Sequence, residues 1–422
     1  MIYIHIPLCR SFCTYCDFYS EIASRCSADE QQKFAVFSQA LSKEIVQRAG
    51  EITDEVNTLY IGGGTPSVLP LYVFEELLRA LRECGHGGPF EEFTVEVNPE
   101  DIVQKGEAYV EGLLRLGVNR ISMGVQSFDD GILKWMNRRH DAATAGKAYR
   151  ILENAGVRNI SIDLIFGLPQ LSDNQWSETL DKALDISSKG ILPQHISSYQ
   201  LSVEPGSALA QMVDRGQWSE ASEELCSRQY EMLCERFKEA GYHHYEISNF
   251  AQPGYEAVHN SSYWKHLPYI GLGPGAHSYL FSSETDARCV EMASSHPRVG
   301  GGAQLCWEGA IGTHWRGEVD KRYIRQWNES DLGLYVRAAE DGDFSVVRGS
   351  ENLTDEQLVM EKIMLGLRTS AGLPEAFLRA NCDAAQLEEA LNCGNLVMNS
   401  SGTVRIPENR FFISDNIISS II

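Results

Sequence analysis

The sequence predicts an α/β chain: an open, partial βα barrel of six units, followed by a smaller C-terminal α+β domain of winged-helix-like type. Three observations carry this. Across the first half, β-type runs alternate with amphipathic stretches at roughly 30–40 residues, the length of a βα repeat. Polar and glycine-rich residues recur just after the ends of those runs. Near the C-terminus, short helical stretches precede two short strands, NLVMNS and GTVRIP.

The elements follow in order. IYIHI is the first strand. A helix is expected from Asp29 to Arg48, where Phe34, Phe37, Leu41 and Ile45 form one stripe. TLYIGGG is a strand ending in glycines, and LYVFEELLRALRE is a helix. FTVEVNP is a strand stopped by Pro99. NRISMGV and NISIDLIFGLP are the next strands, separated by the helix AATAGKAYRILENAGV. NQWSETLDKALDISS then leads into the sixth strand, HISSYQL. Six units fall short of a closed eight-unit barrel. A doubly wound sheet would alternate in the same way. A curved sheet is favoured because cysteines, GGGTP, Glu96, Gln126 and Asp163 all follow strand ends, where one cavity can collect them.

Three segments are expected. Residues 1–280 form the barrel with an aromatic, His-rich extension, and residues 281–320 form an inserted surface loop of little periodicity. Residues 321–422 form the C-terminal helical, winged-helix-like domain.

The chain has 36 basic and 58 acidic residues, a formal charge of −22. That argues against nucleic acid and anionic membranes as partners, though not against a small anionic ligand. No apolar run reaches spanning length, and no basic segment leads into an apolar one. The chain reads as soluble and cytoplasmic rather than an integral membrane protein, which is compatible with transient contact to a membrane protein.

Of the 11 cysteines, Cys26, Cys84, Cys226, Cys234, Cys289, Cys306, Cys382 and Cys393 are scattered, as ordinary thiols are. Cys9, Cys13 and Cys16 stand together as C-x3-C-x2-C after the first strand. A zinc site would call for a fourth ligand and paired CxxC motifs. A redox dithiol would use Cys13 and Cys16 and leave Cys9 without a role. A 4Fe-4S cluster on three thiolates would keep one iron open for an exchangeable ligand.

This spacing resembles that of radical S-adenosylmethionine (SAM) proteins, a superfamily with a partial βα barrel. The resemblance implies that the amino and carboxylate groups of SAM chelate the open iron. It further implies that an electron from the cluster cleaves the sulfonium to a 5′-deoxyadenosyl radical. It makes GGGTP, with Gly63, Gly64 and Thr65, the strip beside the methionine end of SAM. Glu96, Gln126 and Asp163 occupy matching strand ends, where the carboxylates could instead cap the following helices. Arg138 suits the SAM carboxylate, with Arg139 as its rival. Tyr3 and Tyr15 flank the cluster.

YIHIPLCRSFCTYCDF, IGGGTPS, NRISMGVQSF, DLIFGLP, YQLSVEPGS and HNSSYW together resemble the HemW family of heme chaperones. That family is a sister of the oxygen-independent coproporphyrinogen III dehydrogenases of porphyrin biosynthesis. Leu8 and Phe12 depart from the usual Phe and Lys. Two features favour the chaperone over the dehydrogenase. Only Met1 and Ile2 precede Tyr3, where the dehydrogenases carry a long extension. Phe18 stands where they have a fourth cysteine. The expected function is binding heme and handing it to an acceptor protein; the alternative is coproporphyrinogen oxidation. The resemblance implies a heme site at His259, Asn260, Tyr263 and Trp264, with His243, His244, His266 and His277 as rival ligands.

Overall fold

The computed structural model describes residues 1–23, 27–53, 57–282 and 322–422. Most of the loop expected at 281–320 lies outside them, with Cys26, Cys289 and Cys306.

Six parallel strands make the centre of one sheet: β1 (Ile2–Ile6), β2 (Thr58–Gly63), β3 (Glu92–Val97), β4 (Arg120–Gln126), β5 (Ile160–Phe166) and β6 (His195–Gln200). Three short strands extend it: β7 (His243–His244), β8 (Asn249–Ala251) and β9 (Ile270–Leu272). The order is β9-β1-β2-β3-β4-β5-β6-β8-β7, a linear run, so the sheet stays open as expected. β9 joins β1 in parallel, and β8 reverses against β6.

The strands are two-faced. Ile2, Ile4 and Ile6 are buried toward the helices, as are Leu59, Ile61, Phe93, Val95, Ile121 and Met123. The intervening register positions are polar: Tyr3 pairs with Tyr60, Tyr60 with Thr94, and Thr94 with Arg120. An apolar outer face drives the helices onto the sheet, and a polar inner face leaves an interior that can receive a polar ligand. Helix α1 (Ser27–Arg48) buries the anticipated stripe of Phe34, Phe37, Leu41 and Ile45. Helix α2 (Leu71–Glu83) matches its expected bounds.

A second, three-stranded sheet is formed by β10 (His277–Ser282), β11 (Arg322–Asn328) and β12 (Arg348–Asn352). The expected division at 321 cuts this sheet, because β11 pairs along all of β10. The helix after it, Leu332–Asp341, also faces the barrel side: Tyr335 donates to Glu44 Oε2 at 2.6 Å. Buried Arg48 pairs with Glu44 at 3.2 Å and donates to the Gly271 carbonyl at 2.7 Å, so α1, β9 and the second sheet share one polar joint. After β12 the chain continues with the helix Asp355–Leu367. It adds helices Glu375–Asn381, Ala384–Asn392 and Ser414–Ile421 around three short strands, with 397–398 and 403–405 as the wing. Among the described residues no helix is long and apolar enough to cross a membrane.

Candidate functional site

The three cysteines lie on the loop after β1, at the carboxyl ends of the parallel strands. A segment far along the chain pins that loop. Thr14 donates through its amide to the Met136 carbonyl and through its hydroxyl to the Trp135 carbonyl, and Asn137 Nδ2 donates to the Phe12 carbonyl. Arg138 follows directly. Its Nη1 lies 3.4 Å from Cys13 Sγ, and its Nη2 donates to Asn98 Oδ1 and the Gly124 carbonyl, both at 2.7 Å. Cys9 Sγ is 3.3 Å from Thr65 Oγ1, which ties the first thiol to GGGTP.

These residues open on a cavity of about 960 Å³. Cys9, Cys13, Cys16, Tyr15, Gly63, Gly64, Thr65, Glu96, Gln126, Arg138 and Asp163 all line it, so eleven positions singled out from sequence share one space. Arg139 also reaches the wall but is held by Glu100 at 3.6 Å and Asp101 at 3.9 Å. Tyr3 does not line it. Its hydroxyl bonds His5 Nδ1 at 2.9 Å, and its ring packs on Tyr60, one layer below the mouth. Sequence reasoning missed Tyr60, Arg120, Ser122, Ser197 and Tyr199, which line the same space. The available signal was their two-residue alternation within otherwise apolar parallel strands.

The glycines serve packing as well as access. Gly63 has φ 107°, and a Cβ there would meet the His5 ring at 2.5 Å. Gln126 is left-handed at φ 68°, beside a register shift between β4 and β5. A non-glycine residue in that region stores strain, which concentrates at working sites.

Burial raises the acidic groups. Glu96 is pushed up to about 7 by loss of water, although Tyr60 donates to its Oε1 at 2.7 Å. Asp163 is raised to about 6, again by burial, with Ser122 donating to both oxygens. Neither carboxylate caps a helix. Burial also pushes the Cys16 thiol up to about 12, and the neighbouring cysteines add to it. Burial opposes the Arg138 charge, yet Tyr15 and Cys13 hold its pKa above the usual value. Arg138 Nε has no partner.

Cys9, Cys13 and Cys16 are free thiols, with the half-buried Arg138 guanidinium against Cys13. As thiolates they would repel one another unless a cationic centre lay between them. Among the described residues no three His, Cys, Asp or Glu side chains close on a single metal ion. Soft sulfur donors spread along a loop suit a polynuclear iron–sulfur cluster.

The HNSSYW segment forms the helix Val258–Trp264, but its histidine does not face the cavity. His259 is 1% exposed. Its Nδ1 bonds Thr58 Oγ1 at 2.9 Å and its Nε2 bonds the Tyr263 hydroxyl at 3.0 Å. Glu92 accepts from the amides of Val258 and His259, seating the helix against the barrel floor. Both ring nitrogens of the expected ligand His259 are thus engaged inside the protein. Tyr263 packs edge-on against Tyr269 rather than covering a free face, and Trp264 is half-buried. Of the motif, Asn260 reaches the cysteine cavity.

Three thiols lie at the carboxyl edge of an open parallel βα sheet, and the radical SAM superfamily model matches residues 3–183. Heme chaperone HemW of Bacillus subtilis (strain 168) is 33% identical over 373 residues, covering 88% of this chain and 84% of that one. HemW of Escherichia coli (strain K12) is 33% identical over 298 residues, 70% of this chain and 74% of that one. HemW of Synechocystis is 36% identical over 280 residues, and the match spans just under two thirds (65%) of its length. The chain belongs to the HemW family. Its fold is similar to that of coproporphyrinogen III oxidase (HemN) from Escherichia coli, with TM-score 0.73 over 99% of this chain and 89% of that one. At 20% identity that likeness speaks to the fold alone.

Proposed function

We propose that this chain is a cytoplasmic heme chaperone: it binds heme and passes it to an acceptor protein. It carries a 4Fe-4S cluster on Cys9, Cys13 and Cys16, with exchangeable SAM. The observation that carries the reading is the set of three thiols beside Arg138 on one cavity wall, in a chain whose relatives are named heme chaperones.

The cluster with SAM supplies one-electron chemistry at a sulfonium. This chain's own residues bind and orient. Arg138 presents a fixed cation for a carboxylate, and its Nε is the unpartnered donor. Gly63, Gly64 and Thr65 offer a narrow backbone strip, while Glu96 and Asp163 accept from hydroxyls or an amine. Glu96 exchanges its proton near neutral pH, so it can serve as donor or acceptor. Gln126 and Tyr15 complete the wall. Tyr3 acts on this site through His5, which fills the space behind Gly63.

The test is anaerobic reconstitution followed by separate assays. Uptake of hemin with a Soret band distinct from free hemin, and its transfer to an apo-hemoprotein, supports the reading. Conversion of coproporphyrinogen III with SAM and a reductant would replace it with the dehydrogenase reading.

A further inference from the structure

A histidine ligand to heme needs a neutral imidazole with a free nitrogen, and His259 has none. The other candidate histidines separate cleanly. His243 Nδ1 bonds Glu256 at 3.0 Å and its Nε2 lies 3.4 Å from Ser370 Oγ. His244 is stacked on Phe250 at 4.0 Å and bonds the Ile247 carbonyl. His266 Nε2 bonds Glu361 at 3.0 Å, and its ring is stacked on Tyr279. His277 is exposed, and among the described residues neither of its ring nitrogens has a hydrogen-bond partner. It begins β10, immediately after the turn that leaves β9.

Its surroundings are aromatic. In the β10–β11 ladder His277 is opposite Trp327 and Tyr279 is opposite Arg325, so these four share one face of the sheet. The His277 and Trp327 rings lie 6.2 Å apart, near parallel at 27°. Trp327 lies flat across Gly349, where a Cβ would meet its ring at 2.3 Å. The glycine thus keeps the indole down on the sheet beside the imidazole. Arg325 is already held by Glu351 and Glu361, so affinity here comes from ligation and aromatic cover rather than from charge.

The face also adjoins the cysteine loop. Gly275, two residues before His277, abuts Tyr19: a Cβ there would meet Tyr19 Cβ at 3.3 Å. The Tyr19 carbonyl in turn meets His5 Nε2 at 2.9 Å. His277 stands within electrostatic range of His5.

We propose that His277, with Trp327 beside it, is the site at which this chain takes up a metalloporphyrin, the imidazole ligating iron and the indole covering part of the macrocycle. The proposal rests on the heme-binding reading above and names the surface. A histidine nitrogen is the common protein ligand to heme iron, and a flat indole suits an aromatic face. His259 is then a positioning residue that closes the barrel floor.

The experiment titrates hemin into the full, reconstituted chain and reads the Soret band and the low-temperature electron paramagnetic spectrum of the ferric heme. His277→Ala is expected to weaken uptake about tenfold or more. His277→Met keeps a ligating side chain and is expected to retain uptake with a displaced Soret band. Trp327→Ala is expected to weaken uptake without altering the ligand signature. His259→Ala, in preparations with unaltered circular dichroism and iron content, is expected to keep the parental spectrum. Parental spectra and affinity in both His277 variants overturn the assignment and leave the heme reading intact. Loss of the heme signature in folded His259→Ala also overturns it. No uptake by the unaltered chain overturns the heme reading itself.

Discussion

Arg138 places a guanidinium nitrogen 3.4 Å from the Cys13 sulfur, across 125 residues of sequence. The same group is tied to Asn98 and the Gly124 carbonyl, so it is fixed before any ligand arrives. Arg139, next in the chain, answers to Glu100 and Asp101 instead. Adjacent arginines thus have separate work. Arg138→Ala is expected to abolish the SAM-induced change in the electron paramagnetic signal of the reduced cluster, and Arg139→Ala to leave it. Equal loss in both would contradict the assignment.

Cys9, Cys13 and Cys16 are expected to hold about four irons per chain after anaerobic reconstitution. Alanine at any one should remove the brown chromophore and most of the iron. Cys226→Ala, at a buried thiol near Gly167, should retain both. Iron analysis and absorbance decide it, and equal dependence on Cys226 would refute the three-thiol site.

His259 bridges Thr58 of β2 and Tyr263 of its own helix. Burial lowers its pKa to about 3, so it folds as the neutral ring. A lowered histidine pKa gives stability that is full above the unfolded value of 6.5 and is lost as pH falls toward 3. His259→Ala should cost about 2–4 kcal/mol through lost hydrogen bonds and an unfilled volume. It should also remove part of the acid sensitivity. Urea unfolding at several pH values measures both, and a near-neutral variant would contradict the floor-closing role.

Glu246 is 1% exposed, and its Oε1 has no partner. Burial raises its pKa from 4.5 to about 7. For a carboxyl raised in the fold, the favourable contribution is full below the unfolded pKa and is lost as pH rises through the folded one. The window is therefore pH 4.5 to 7. Glu246→Gln should flatten that decline, by on the order of 3 kcal/mol at the alkaline end. Parallel pH–stability curves for the two proteins would rule this out.

The strand–helix alternation, the stripe on α1 and the cysteine spacing were all readable from the chain, because period and spacing are local properties. So were the strand-end members of the cavity wall, since every parallel strand ends at the same face of the sheet. The strand pairing across residue 321 was not readable. The pairing of β11 with β10 spans a long separation, and local composition carries no record of its partner. Tyr3 was expected to flank the cluster beside Tyr15, yet it sits one layer down. Ring nitrogens are likewise indistinguishable in sequence. HNSSYW marks four side chains as special without saying which nitrogen is spent on Thr58 and Tyr263. The sequence by itself determined the fold class, the thiol triplet and eleven positions of the cavity wall. Only the tertiary structure decided that His259 is closed, that His277 is open, and that Arg138 rather than Arg139 meets the thiols. A hydrogen bond or a ligand site depends on which distant groups arrive at 3 Å, and the packing of the whole sheet sets that.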